Sequence, residues 1–412
     1  MIASSRSPKK TRCVTAIAAA AALYVVVPQR VEAAWVVEPA ARAEVRHDDN
    51  VRMSPTDEED GLVNTLTGQL TLRQVTERAD FAAIVGATYL DYSGVDLDDE
   101  DIEFLQVRGI WEGERVRYGL RGSVRRDVLL RTADTLDDFT GGAGDEDFVV
   151  DDDTSIPPDD VDVGSVETQI RRIRTDVSPR VDFELGARTG LGLAYRYYAN
   201  EYDEEPGVDV QDGEQHEVGV ELARNLSEIS TFRLRARAAR FDPEVDETVD
   251  SYEIVAGLDR RFSDRFFGSI EVGGRRAETD QETDNGFVVR LRGIQSLERG
   301  RLAASLERSL VPSTSGDMVE RDTARLQFYR SVSDRVAISV ESRAYRISES
   351  TGVGGGDRDY VEIEPRIERA LSPSWSLGLS YRYRWVDREN EVDSASSNAV
   401  SLFLSFRPPS QI

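Results

Sequence analysis

Arginine recurs at every second position in several short stretches of this 412-residue chain. In TFRLRARAARF (231–241), Arg233, Arg235 and Arg237 alternate with Phe232, Leu234, Ala236 and Ala238. In VRYGLRGSVR (116–125), Arg117, Arg121 and Arg125 oppose Val116, Tyr118, Leu120 and Val124. FVVRLRG (287–293) adds Arg290 and Arg292. SWSLGLSYRYRW (374–385) adds Arg382 and Arg384, set against Trp375, Leu377, Leu379, Tyr381, Tyr383 and Trp385. A guanidinium stays charged and offers a planar fork of donors to carboxylates and phosphates. A row of them can draw anions along a track of weak sites. It can equally pair with acids on its own face and brace an interior. Glu271, Glu307, Glu341, Glu362 and Glu364 are such acids. Both readings stand at this stage.

Other chemistries find little support. The only histidines are His47 and His216, and no local pattern marks a serine as an activated nucleophile, so an enzyme is not expected. There is no phosphate loop, zinc spacing or haem motif. The many aspartates lack the ordered spacing of a calcium loop. Neither a cofactor nor a metal site is expected.

Strict alternation of apolar and polar residues requires β-strands with one greasy and one wet face. Such segments fall at about 35–47, 62–75, 81–92, 102–111, 116–130, 165–183, 190–202, 214–225 and 231–242. They continue at 251–261, 266–278, 286–295, 301–312, 321–330, 336–347, 359–370, 375–387 and 397–407. That makes eighteen strands with no long helix between them. Connections alternate in character. Short ones (TERAD, EGER, LGAR, FSDR, SLERG, SVSDR) follow every second strand, and longer acidic ones such as EEPGVDVQDGEQ follow the others. Short turns at one end and long polar loops at the other mark an antiparallel transmembrane barrel with periplasmic turns and extracellular loops. No apolar run after the first thirty residues is long enough for a membrane helix, so a closed barrel is the remaining way to span.

In that register the apolar faces meet lipid and the arginines line the lumen, Arg196 included through the internal repeat described below. Trp375 and Trp385 lie ten residues apart on one face. At ~3.3 Å per residue and a tilt near 45° this spans roughly 23 Å of bilayer, so Trp375, Tyr381, Tyr383 and Trp385 are placed on the aromatic girdles. The segment 131–164, rich in aspartate, is the third extracellular loop. It is either a solvated loop or a lid that folds inward onto the arginines.

The amino terminus carries Arg6, Lys9, Lys10 and Arg12, then an apolar run from Cys13 to Val27, then small residues up to Ala33. This is the pattern of a signal peptide, assigned to 1–33, which leaves 34–412 as a bacterial outer-membrane barrel of the Gram-negative type. Its removal takes away Cys13, the only cysteine, and every lysine. The net charge of −26 argues against a nucleic-acid partner. Expected partners are outer-membrane lipid, the barrel-assembly machinery and a polysaccharide or small anionic solute.

Two stretches echo each other at a constant offset. PRVDFELGARTGLGLAYRY (179–197) and PRIERALSPSWSLGLSYRY (365–383) share Pro, Arg, an aliphatic, an acid, Leu and then Leu-Gly-Leu-x-Tyr-Arg-Tyr. VRHDDNVRMSP (45–55), together with turns of the form aliphatic-Ser-(Glu/Asp/Pro) at 226–228, 262–264, 332–334 and 371–373, resembles the outer-membrane proteins grouped as beta-barrel porin 2. That resemblance implies an outer-membrane barrel with relatives tied to exopolysaccharide and exosortase loci, and supplies no catalytic residues. The carboxyl end (Val400, Leu402, Leu404, Phe406) resembles a barrel-assembly signal but continues into Arg-Pro-Pro-Ser-Gln-Ile. The function expected is a porin-like channel for passive passage of anionic or sugar-like solutes, with exopolysaccharide export as its extension. The alternative is a non-conducting structural or surface-interaction barrel with a plugged Arg/Glu-lined lumen.

Overall fold

The computed structural model describes residues 35–128, 169–203, 210–313, 318–351, 357–389 and 393–409. The expected signal peptide and the 131–164 loop lie outside them. Eighteen strands form one antiparallel sheet. They are β1 (Trp35–Asp48), β2 (Gly61–Val75), β3 (Ala79–Ser93), β4 (Glu100–Glu112), β5 (Val116–Val128) and β6 (Arg171–Gly186). Next come β7 (Thr189–Tyr202), β8 (Gly213–Ser227), β9 (Ser230–Pro243), β10 (Val249–Ser263), β11 (Phe266–Glu278) and β12 (Thr283–Leu297). The last are β13 (Gly300–Pro312), β14 (Met318–Ser333), β15 (Val336–Thr351), β16 (Arg358–Ala370), β17 (Trp375–Arg388) and β18 (Ala395–Phe406).

Each strand pairs with its sequence neighbours, and β1 pairs with both β2 and β18, so the sheet closes on itself. Closure gives each strand a partner on both sides over most of its length, as a spanning barrel requires. The closing seam is partial. Ala41 to Asp48 pair with Phe406 to Ala399, while β1 runs on below Ala41 against β2 alone. A second partial seam lies between β12 and β13, whose ladder runs from Leu297↔Gly300 only as far as Val289↔Arg308.

The short turns have a common construction. In the turns after β8, β10, β14 and β16 the serine of the recurrent turn motif accepts backbone hydrogen bonds from residues two or three ahead. Ser263 Oγ receives Arg265 N–H at 3.3 Å and Phe266 N–H at 3.0 Å; Ser372 Oγ receives Trp375 N–H at 3.1 Å. Serine does this because its hydroxyl substitutes for a backbone acceptor in a tight turn. The carbonyl of the residue before the next strand then accepts from the following hairpin, as with Arg265 O from Ser296 N–H (2.8 Å) and Arg299 O from Ser331 N–H (2.7 Å). The two echoing stretches form the β6–β7 and β16–β17 hairpins, and in both the ladder to the next strand skips the proline position, Pro179 or Pro365. Proline has no N–H to give there.

The alternation read from sequence is realised as two faces. Outward positions carry exposed large apolar side chains, among them Leu66, Ile254, Val272, Leu306, Leu377, Leu379 and Leu402. Aromatic pairs collect at the short-turn rim of this face: Trp111–Tyr118 at 5.2 Å, Phe262–Phe266 at 5.4 Å and Trp375–Phe406 at 4.9 Å. Toward the other rim stand Tyr89, Tyr195, Tyr252 and Tyr381. An apolar belt between two aromatic rims is the outer surface of a transmembrane barrel. Inward positions are polar over the middle of the wall and apolar toward the long-loop end.

Candidate functional site: the inner wall and its mouth

Every arginine singled out from the sequence lies on the inward face of its strand. Most of them meet a carboxylate from the same or a neighbouring strand. Arg235 is buried and donates to Glu221 (2.8 Å) and Glu271 (3.3 Å). Arg290 reaches Glu253 (3.1 Å), Glu307 (3.0 Å) and Glu271 (3.4 Å). Arg233 reaches Asp259 at 2.6 Å, Arg237 approaches Glu217 at 3.8 Å and Arg196 contacts Asp176 at 2.5 Å. Arg180 closes on Asp182 (2.8 Å) and Glu221 (3.1 Å). The result is a continuous Arg–Glu belt from β6 to β13. Register produces it: Glu221 lies opposite Arg235, Glu271 opposite Arg290, and Arg290 opposite Glu307. Opposite charges on facing positions are the favourable cross-strand arrangement.

The remaining arginines extend the pattern. Arg384 is buried and donates to Asp48 at 2.9 Å, which also receives Ser397 Oγ at 2.6 Å. Arg125 joins Arg172 and Arg174 around the fully buried Asp127, at 2.8, 2.9 and 2.7 Å. Arg117 sits near the short-turn end, 3.7 Å from Glu112, with its side chain 48% exposed. Arg121, Arg292 and Arg382 face the same interior. Of the four aromatic residues expected on the girdles, Trp375 and Tyr381 are exposed on the outer face, and Tyr383 and Trp385 are half-buried there. Tyr381 hydroxyl donates to Asn398 at 2.6 Å.

Several site features escaped the sequence reading. Arg172 and Arg174 show the same every-second-residue signal in RRIRTDV and could have been found. Arg275, bound to Asp284 (2.9 Å) and Glu320 (2.6 Å), has its only fellow arginine of the strand directly beside it at Arg276 and so carries no such signal. Arg308 faces outward instead. It lies over the Phe287 ring at 4.4 Å and pairs with Asp322, so its charge is not left bare. Gly378 in the repeated Leu-Gly-Leu is a packing site. The tip of the Phe403 ring lies over it, where an added Cβ would come 2.0 Å from the ring, and Arg42 stacks on that ring at 3.9 Å.

The mouth at the long-loop end is filled from an unexpected source. The connection after β1 (residues 49–60) turns inward, so that Asn50, Val51, Met53 and Ser54 are buried. Val51 packs on Val63, Leu90, Tyr92, Ile102 and Phe104 from β2, β3 and β4. Two residues on, Met53 packs on Tyr345, Ile347, Tyr360, Val386 and Ala395 from the opposite flank. Asn50 fixes the turn, donating to Ser54 O (2.8 Å) and Ser396 O (3.0 Å) and accepting from Ser54 N–H (3.1 Å). Met53 has φ of 57°, in the left-handed region that costs a non-glycine residue about 1–3 kcal/mol and persists only where surroundings impose it. This is the VRHDDNVRMSP stretch, whose apolar residues show no periodicity and so gave no burial signal. A further apolar cluster (Phe241, Val249, Ala277, Met318) adds to the collar. Beneath it Arg196, Arg237, Arg275 and Arg290, with Glu253 and Glu307, line a cavity of about 90 Å³. Among the described residues no group of acids and histidines could hold a metal ion.

No family model matches the sequence, and no curated protein does either; the resemblance to beta-barrel porin 2 therefore stands on its motifs alone. Solved structures that share the barrel include a BenF-like porin from Pseudomonas fluorescens Pf-5, at 9% identity over 92% of this chain and 99% of that one, TM-score 0.49. Pseudomonas aeruginosa OccK2 (OpdF), in complex with glucuronate, matches at 11% identity over 92% and 98%, TM-score 0.48. Acinetobacter baumannii OccAB4 matches at 8% identity over 92% and 99%, TM-score 0.45.

Proposed function

We propose that the chain is a porin-like channel of the bacterial outer membrane that passes small anionic solutes, with its long-loop mouth held closed at rest by residues 49–60. The carrying observation is the division of one wall into an apolar outer belt and an arginine-lined inner face. Lipid supports the first, and only a watery or internally paired interior supports the second. Short turns face the periplasm in this reading, and the acidic loops face outward. Solute carboxylates compete with the lumen acids for guanidinium groups, so binding is weak at each step, as passage requires. A sugar-like solute fits the same wall, because the interleaved glutamates accept hydroxyl hydrogen bonds. Nothing in the fold or the inner wall adds support for polysaccharide export.

A second reading has its own observation. The arginine–acid pairing and the apolar collar also suit a non-conducting barrel whose loops do the work. Planar-bilayer recording of refolded protein under a salt gradient separates the two. The channel reading expects openings with a reversal potential favouring anions, weakened when Arg233, Arg235 and Arg237 are replaced by glutamine. Cation-selective openings would overturn the assigned role of the arginines. Silence from folded barrel, persisting after the 49–60 loop is loosened, supports the non-conducting reading.

A further inference from the structure

The outer wall between β10 and β13 departs from the smooth apolar belt. One cross-strand row reads Leu258, Ile270, Leu291 and Leu306, each directly paired with the next. The row two residues nearer the short turns reads Arg260, Gly268, Gly293 and Ala304, paired in the same order. The stacked rings of Phe262 and Phe266 wall its short-turn side, and their edges reach over Gly268 and Gly293. Three small residues between two bulky rows make a trough, and the trough is a cavity of about 350 Å³. At ~4.8 Å per strand it runs roughly 14 Å across the wall. One end is closed by a cation.

That cation differs from the outward arginines of the long-loop rim, and unlike Arg224, Arg330 and Arg369, which are exposed on the short-turn side without a paired acid among the described residues, it stands at the end of the trough. Near the long-loop rim Arg240 pairs with Asp242 (3.2 Å), Arg346 with Asp359 (2.6 Å) and Arg308 with Asp322. Arg260 instead rests against the Phe262 ring at 5.6 Å, and no carboxylate pairs with it among the described residues. Arg265 in the next turn and Arg299 two strands on likewise bring positive charge to this rim without a paired acid among the described residues. An apolar furrow that ends at unneutralised guanidinium groups, at headgroup depth, matches a chain-bearing phosphate.

We infer that this trough is a binding site for a single anionic glycerophospholipid of the leaflet nearest the short turns. One acyl chain lies along the furrow between the row Leu258, Ile270, Leu291 and Leu306 and the Phe262 and Phe266 rings, reaching Ala304, and the phosphate sits on Arg260. The inference rests on the membrane reading above. A leucine at 293 would fill the furrow floor, whereas an alanine at 260 removes only the phosphate contact.

The test is native mass spectrometry of the full barrel released from detergent micelles after titration with phosphatidylglycerol, with phosphatidylcholine run in parallel. One retained phosphatidylglycerol per barrel is expected, with at least tenfold weaker retention in Arg260→Ala and none in Gly293→Leu. Retention unchanged in both variants overturns the site. Equal retention of phosphatidylcholine overturns the anionic preference. A barrel dimer lost only in Gly293→Leu overturns the lipid assignment in favour of a second copy of this chain. If Gly293→Leu does not fold, Ala304→Leu blocks the same furrow and takes its place. Failure of the wild-type chain to enter micelles as a folded barrel shows before any lipid is added, and refutes the membrane reading instead.

Discussion

Loosening the 49–60 loop should open the mouth, and the structure sets the scale. Val51 and Met53 are the two side chains that anchor this loop to opposite flanks of the barrel, at 2% and 6% exposure. Val51→Ala removes two buried carbons, worth about 1.6 kcal/mol at ~0.8 kcal/mol each. Met53→Ala removes a buried thioether chain, about 2–5 kcal/mol. The hydrogen bonds of Asn50 stay in place, and alanine gains nothing at a left-handed position. Together the pair shifts the closed-to-open balance by roughly 4–6 kcal/mol, or about three to four powers of ten at 1.4 kcal/mol each. A mouth closed by less than that would be open most of the time in the double variant. Single-channel recording of refolded wild-type and V51A/M53A barrels reads this directly. The expected result is rare openings in wild type and an open probability at least a hundredfold higher in the variant, with the folded form preserved on unheated gels. The same conductance and open probability in both proteins would refute the reasoning, because it would mean that the loop does not obstruct the path.

Asp127→Asn leaves Arg125, Arg172 and Arg174 crowded without their shared carboxylate. It should destabilise the barrel by about 3–5 kcal/mol, the cost of breaking a buried ion cluster, read from urea unfolding in detergent. Glu271→Gln removes one partner from both Arg235 and Arg290. The anion-to-cation permeability ratio measured by reversal potential should rise, and a fall would contradict the role given to the arginines. Gly378→Leu collides with Phe403. It should cost about 1–3 kcal/mol by overpacking, recovered in part by adding Phe403→Ala, as thermal unfolding would show.

The wall was legible in the sequence and its furnishings were not. Alternation located all eighteen strands to within a few residues, because a spanning strand must be apolar on one face at every second position. The inward side of Arg233, Arg235 and Arg237 followed from the same rule. Their partners did not. Arg233 lies directly opposite Gly257 yet binds Asp259, one step diagonally along the strand. Such a choice depends on register and side-chain reach, which no single segment encodes. The inward loop was hidden for a different reason: Val51 and Met53 lie outside any periodic stretch, so their burial comes from what surrounds them. Among the described residues β6 begins at Arg171, later than the position near 165 expected from alternation. The connection 279–282 is as short as a periplasmic turn, so loop length alone gives the two ends less contrast than the sequence implied.

The partial seam between β1 and β18 bears on how the cylinder is made. Its eight paired positions join the two extremes of the sheet, the contacts of greatest sequence separation in the molecule. Contacts so far apart are formed late, after every hairpin is in place. Until then both outer strands are open templates for pairing with other chains. Closing over only part of β1 makes that final annealing step short, and leaves Trp35 to Ala40 joined to a single neighbour. The stretch joined last is also the one with fewest hydrogen bonds to break, so unzipping of the barrel should start there.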